Sequence, residues 1–277
     1  LSVAQNKMQA LNATTRVIPF GQELNPETYA TCCSDMILKG NTNSRIVLGN
    51  SFNEDGFQGQ TFDYMLSNPP FGVDWKKVEK FIKDEAKNKG YSGRFGAGLP
   101  RISDGSFLFL QHLISKMNAP ENGGSRIGIV FNGSPMFSGD AGSGESEIRR
   151  WIIENDLLEA IIGLPDQLFY NTGITTYIWI LTNRKENRRK GKVRLINGAG
   201  FYEKMRKGLG NKRNMVSSEN RAEIVRLYST YEPDENYMDL DNDDFGYRKI
   251  VVESPLLNED GTPVTDRKGS KKADVSL

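Results

Sequence analysis

Hydrophobic residues along the chain fall into short β-branched or aromatic runs. Stretches with helical spacing separate them, the alternation expected of a sheet with helices on its faces. Residues 17–20 read as a strand, and Asn25-Pro26 then opens a helix with proline at its first position, where the missing N–H costs nothing. That helix runs to residue 39 and stops at Gly40. Further strands are predicted at 46–48, 62–66, 127–131, 158–162, 175–181 and 193–196. Between them the pattern predicts a charged amphipathic helix at 73–89, a more apolar one at 106–117 capped by Asp104 or Ser106, and one at 145–154. Beyond Gly198 the apolar content falls. Residues 221–231 are helical in pattern, 232–244 are strongly acidic, and the tail from Asn258 is polar, a composition typical of a mobile end. The reading is an α/β fold with a mostly parallel twisted sheet, a main domain over 1–198 and a partly helical C-terminal extension over 199–277.

Composition adds limits. A hydrophobic fraction of 37% and a charged fraction of 26% over 277 residues are those of a globular protein with a sizeable core. No apolar run has the length needed to span a bilayer, and residues 1–9 are too polar for a secretory leader. Cys32 and Cys33 are adjacent, so they cannot staple distant segments; they suit a reduced cytosolic compartment and helix packing. His112 is the sole histidine, which excludes a histidine-based metal site and leaves it as an ordinary helix residue. A net charge of +1 points neither toward nor away from nucleic acid, so any such contact must come from local patches or another subunit.

The chemistry-bearing motif is Asn68-Pro69-Pro70-Phe71, directly after the strand at 62–66. An exocyclic base amine is a poor nucleophile because its lone pair is delocalised into the ring. An enzyme that uses it must accept hydrogen bonds from both N–H groups and aim the nitrogen. The Asn68 side-chain oxygen can take one and the Pro69 carbonyl, its direction stiffened by proline, the other. Phe71 can stack on a base taken out of the duplex. The position suits a ligand site, which in open α/β sheets lies outside the carboxyl ends of strands. The plainer alternative is a Pro-Pro turn ending a strand, with Phe71 in the core.

The tetrapeptide resembles the catalytic motif of amino-methyltransferases, and further segments resemble the modification subunits of type I restriction-modification systems. These are Gly21-Gln22-Glu23-Leu24-Asn25-Pro26, Phe62-Asp63-Tyr64 through Phe71-Gly72, Gly163-Leu164-Pro165 with Leu168-Phe169-Tyr170-Asn171-Thr172-Gly173-Ile174, and Phe245-Gly246-Tyr247-Arg248-Lys249. The resemblance implies a Rossmann-like class I fold that uses S-adenosylmethionine to methylate adenine N6 in DNA through base flipping. It also implies a specificity subunit and a restriction subunit as partners, and no membrane. Glu23 would accept the ribose hydroxyls of the cofactor, or be a helix-entry carboxylate. Asn50, where the family usually places Asp, would meet the cofactor adenine, and Phe52 would pack against it or be a packed loop residue. Asn68 would also border the cofactor. Phe169 or Tyr170 would line the base pocket opposite Phe71, or belong to the core. No metal is implied.

The family's glycine-rich loop, which cradles the methionine end of the cofactor, has no counterpart here: residues 1–20 contain no glycine. Residues 1–5 resemble the helix that follows that loop, so the first strand and the loop are expected upstream of Leu1, with a gap left in the sheet. Two basic runs, Arg184 to Arg194 and Lys204 to Arg213, can bind phosphates or be solvated turns, and the glycine-rich segment 92–103, with Arg94 and Arg101, can fold over DNA or substrate. Two other readings share the motif. One is a methyltransferase acting on RNA or a protein glutamine. The other is a non-catalytic assembly subunit.

Overall fold

The computed structural model describes residues 2–41, 44–248, 250, 254–266 and 270, so Leu1, Lys249 and residues 271–277 lie outside them. The chain opens with α1 (Ser2–Leu11), β1 (Phe20–Glu23), α2 (Pro26–Leu38), β2 (Arg45–Leu48) and β3 (Tyr64–Ser67). Then come α3 (Glu79–Lys89), α4 (Ser106–Ile114), β4 (Arg126–Phe131), α5 (Ser134–Phe137), α6 (Gly144–Glu154) and β5 (Leu158–Gly163). It continues with β6 (Tyr177–Thr182), β7 (Lys192–Asn197), β8 (Glu203–Leu209), β9 (Lys212–Met215), α7 (Ser218–Ser229) and β10 (Tyr237–Asp241).

Local chemistry explains most boundaries. At α2 the Asn25 side chain accepts from the N–H groups of Glu27 and Thr28 at 2.8 and 3.0 Å, and Pro26 fills the first turn. In β4 the alternation turns Ile127, Ile129 and Phe131 inward, all fully buried. The charged stretch expected to be one helix from residue 73 begins instead with a 3-10 turn, Lys76–Val78, after buried Trp75 and becomes α-helical only at Glu79.

The main sheet has the order β10-β7-β5-β6-β4-β3. Strands β3, β4, β5 and β7 share one direction, while β6 and β10 run against it. The sheet is therefore mixed: four of its six strands run in one direction, with antiparallel ladders on both sides of β6. The cause is the connection from β5 to β6. Residues 164–176 contain no helix, and a parallel return needs a crossover of a dozen or more residues that is usually helical. Phe107, Phe131 and Trp179 meet edge to face on this sheet, and Leu164, Ile196, Ile224 and Leu227 join α7 to it.

β1 and β2 form a separate two-stranded parallel sheet, and among the described residues β3 pairs only with β4. The rings of Phe20, Phe57 and Phe62 close the lower end of the break between that sheet and β3, with Phe20 and Phe62 at 5.1 Å.

The boundary expected at residue 198 is corrected. Residues 199–241 return to the same unit because β10 adds to the sheet edge beside β7. Buried Arg194 on β7 makes two bonds of 2.7 Å to Asp239 on β10 and donates to the carbonyl oxygens of Leu227 and Thr230 at the end of α7. The compact unit runs to Asp244, and Phe245–Leu277 is a second, small unit. Within that unit a turn brings Val264 N–H to the Leu256 carbonyl at 2.7 Å.

Candidate active site

β3 delivers the tetrapeptide at its carboxyl end. Pro69 is buried, Phe71 is half-buried, and Asn68 is exposed. The Asn68 amide has no hydrogen-bond partner among the described residues. Gly72 follows with φ +62°, a left-handed turn that favours glycine. The chain is then fastened: Gly105 N–H donates to the Val73 carbonyl at 2.9 Å, Trp75 N–H to Ile102 at 3.1 Å, and the Trp75 indole to Arg101 at 2.9 Å. The motif is thus rigid at both ends, with its polar tip open.

The loop after β5 brings Phe169 to Phe71. Their ring centroids lie 6.5 Å apart at 88°, and both rings are half-buried. Gln167, at φ +52°, shapes the loop, and a tight turn pairs Phe169 with Thr172. Tyr170 does not join the pair. It is exposed and lies against the hairpin of β8 and β9, with Lys212 Nζ 5.4 Å from its ring centre. Of the two aromatics expected at a base pocket, only Phe169 faces Phe71.

Glu23 and Asn50 sit at the adjacent ends of β1 and β2, joined by the Gly49 N–H to Glu23 carbonyl bond of 3.0 Å. One Glu23 carboxylate oxygen accepts from Asn25 N–H at 2.8 Å, and the Asn50 side-chain oxygen accepts from Phe52 N–H at 3.0 Å. The second Glu23 oxygen and the Asn50 amide nitrogen have no partner among the described residues. This donor set fits a nucleoside: a carboxylate for a ribose diol and an amide for a ring edge. Phe52 is corrected: it is 6% exposed and packs with Trp75, Ile82, Phe95 and Leu108, so its ring belongs to the core.

Two side chains that sequence reasoning missed, Gln22 and Lys116, and a third that it read as a candidate ligand contact, Arg94, hold the loop carrying Asn50. Gln22 donates to the Glu54 carbonyl at 2.7 Å and accepts from Gly56 N–H. Lys116 donates to Asp55 and the Phe57 carbonyl at 2.6 and 2.8 Å. Arg94 donates to the carbonyls of Ser51 and Phe52 at 2.8 and 2.6 Å while paired with Glu85. Burial pushes the Asp55 and Glu85 carboxyls up, but Lys116 and Arg94 outweigh it and hold both below the usual range. His112, 3.1 Å from the Arg94 guanidinium, is pushed down to about 4 by burial first and by that positive charge second. A neutral ring accepting at Nδ1 follows. No sequence spacing links Arg94 to Ser51. Of the two arginines in segment 92–103, Arg94 points inward beside buried Phe95, while Arg101 is exposed.

Most of the first basic run is likewise engaged by the fold. Lys185 pairs with Asp156, Lys192 with Asp241, Arg188 with Glu186 and Arg194 with Asp239, while buried Arg189 bonds Tyr231. Among the described residues no helix is long and apolar enough to cross a membrane, and no cluster of side chains could hold a metal ion.

A family model described as N-6 DNA Methylase matches residues 1–251. The chain belongs to the N-6 DNA methylase family. This N-6 DNA methylase chain is 27% identical to the type I restriction enzyme MjaIX methylase subunit of Methanocaldococcus jannaschii, over 84% of its own length and 39% of the relative's. It superposes on the type I restriction-modification system methyltransferase subunit from Streptococcus thermophilus with a TM-score of 0.68 and 27% identity, covering 82% of this chain and 45% of that one. A Listeria monocytogenes protein described as a class I S-adenosylmethionine-dependent methyltransferase matches at a TM-score of 0.56 and 15% identity, covering 82% of this chain and 59% of that one. The fold is that of the class I S-adenosylmethionine-dependent methyltransferases. The chain spans less than half the length of the first two of these relatives.

Proposed function

We propose that these residues form the catalytic core of an enzyme that transfers a methyl group from S-adenosylmethionine to adenine N6 of a flipped DNA base. The enzyme would be the modification subunit of a type I restriction-modification complex, working in the cytosol with a specificity subunit and a restriction subunit. The observation that carries this reading is the Asn68-Pro69-Pro70-Phe71 turn, with its unpaired amide and its aromatic corner completed by Phe169.

When bound, S-adenosylmethionine supplies an electrophilic methyl group. Glu23 would accept its ribose hydroxyls and Asn50 would meet its adenine. A flipped adenine enters the corner between Phe71 and Phe169, which exchanges part of its lost stacking for ring contacts. The Asn68 side-chain oxygen and the Pro69 carbonyl accept its two amine N–H bonds. That geometry draws the nitrogen lone pair out of conjugation and turns it toward the methyl donor. As the nitrogen gains positive charge, both carbonyl dipoles stabilise it. One proton then leaves the nitrogen for water at the exposed Asn68 tip.

The test is methyl transfer to duplex DNA lacking adenine methylation, with Asn68→Ala beside the parent. We expect N6-methyladenine from the parent and at least a 100-fold loss in the variant, about the cost of one oriented acceptor, with thermal stability unchanged. Equal turnover by both proteins would remove Asn68 from the chemistry. Methylation of RNA or a protein glutamine in place of DNA would overturn the substrate class.

A further inference from the structure

The chain has two basic runs, and the fold treats them differently. Four of the seven cations of the first, Lys185, Arg188, Lys192 and Arg194, are paired with carboxylates. The second lies on the hairpin of β8 and β9, where Lys204, Arg206, Lys207, Lys212 and Arg213 accompany a single carboxylate, Glu203. None of these five cations forms an ion pair among the described residues, and Lys204, Arg206, Lys207 and Arg213 are exposed. Crowding like charges on one hairpin opposes folding, and nothing in the core requires them. The chain as a whole, with a net charge of only +1, offers little long-range attraction to a polyanion, so a local concentration of positive charge has to supply it.

The hairpin is also aimed. Asn211 N–H donates to the Tyr170 carbonyl at 2.9 Å, and Arg213 N–H and Asn214 N–H donate to the Gln167 carbonyl at 3.0 and 3.2 Å. The buried Asn214 amide grips Asp166 at 3.0 Å. Gly210, at φ +59°, lets the turn approach so closely that a Cβ there would stand 2.5 Å from the Tyr170 oxygen. The loop so clamped is the one whose Phe169 meets Phe71. The hairpin therefore holds unpaired positive charge at a fixed place beside the aromatic corner.

We propose that the β8–β9 hairpin grips the phosphate backbone of duplex DNA flanking the flipped base, an assignment that rests on the DNA methyltransferase reading above. Alternate residues on a strand lie about 6.7 Å apart, close to the spacing of successive phosphates, so Lys204 and Arg206 can meet neighbouring phosphates of one DNA strand. The contact is independent of base identity. It supplies affinity and register, and leaves sequence reading to other elements.

The test titrates a fluorescent duplex with the full chain and with a variant carrying Lys204→Gln, Arg206→Gln and Lys207→Gln, at several salt concentrations. The same samples are assayed for methyl transfer. We expect the variant to bind about 10- to 100-fold more weakly. The slope of log affinity against log salt should fall by about 2–3, close to 0.9 for each lost phosphate contact. Turnover at saturating DNA should be unchanged. A charge-preserving exchange of Lys204→Arg, Arg206→Lys and Lys207→Arg should bind like the parent, and Glu203→Lys should bind more tightly. Equal affinity and salt slope for parent and glutamine variant would overturn the proposal. So would a loss confined to RNA or to a partner protein. If the binding difference persists while neither protein methylates DNA, the hairpin assignment stands and the methyltransferase reading fails.

Discussion

Phe71 meets Phe169 at a right angle while half-buried, a corner into which a flat base fits. Phe71→Ala should weaken capture of the flipped base by about 1–3 kcal/mol, the usual worth of one base–aromatic stack, while Phe71→Trp should keep it. Fluorescence of 2-aminopurine at the target position reads this directly, and identical behaviour of Ala and Trp would mean that Phe71 only packs. A second residue speaks to stability. His112 titrates at about 4 in the folded chain, against about 6.5 when exposed. Protons therefore bind the unfolded chain first. The contribution of neutral His112 is full above pH 6.5 and is lost as pH falls from there to 4, about 3 kcal/mol in all. Urea titrations at pH 7 and pH 5 should show about 2 kcal/mol of this loss, and His112→Gln should flatten it. At this scale the sequence was legible in placement: the tetrapeptide beginning at Asn68 follows a strand, as its position after the apolar run predicts. It read Arg94 as a candidate ligand contact and could not see its partners Ser51 and Phe52, which are distant in sequence and are gripped through their carbonyls, which any residue carries.

Among elements, β10 was the hardest to see. Tyr237–Asp241 reads as an acidic exposed stretch, and only the Arg194 guanidinium on β7 turns it into a sheet edge. β4 was easy, because alternate burial of Ile127, Ile129 and Phe131 writes a strand into the residue types themselves. The β8–β9 hairpin lacked such a mark, since its inward face is mostly backbone bonded to another loop. The Arg194 junction carries a measurable load. Arg194→Ala leaves the carbonyls of Leu227 and Thr230 and the Asp239 carboxylate without their donor. It should cost about 3–5 kcal/mol, the usual loss on breaking a buried pair. Asp239→Asn keeps those carbonyls satisfied and should cost less than half as much. Equal losses in denaturant unfolding would place the stabilisation in the ion pair instead of the helix end.

For the whole molecule, the Rossmann-like α/β character followed from the alternation of runs and helices, whereas the direction of β6 did not, because it depends on a loop's shape and not on the strand's own residues. The break between the β1–β2 sheet and β3 has a consequence for how copies of this chain behave toward each other. An unpaired strand edge is a template for another chain, and folded proteins blunt such edges with charge. Arg184 does this for β3: its guanidinium donates to the Tyr64 hydroxyl at 3.1 Å, lies 5.5 Å from that ring's centre, and is tethered to the Gly123 carbonyl at 2.9 Å. Leu66, two residues along and 67% exposed, has no such guard. Arg184→Ala should therefore raise light scattering at high protein concentration, with the thermal midpoint almost unmoved. Leu66→Lys should suppress that scattering. A basic residue read from the sequence as a candidate phosphate contact is thus held against β3 by Tyr64 and Gly123.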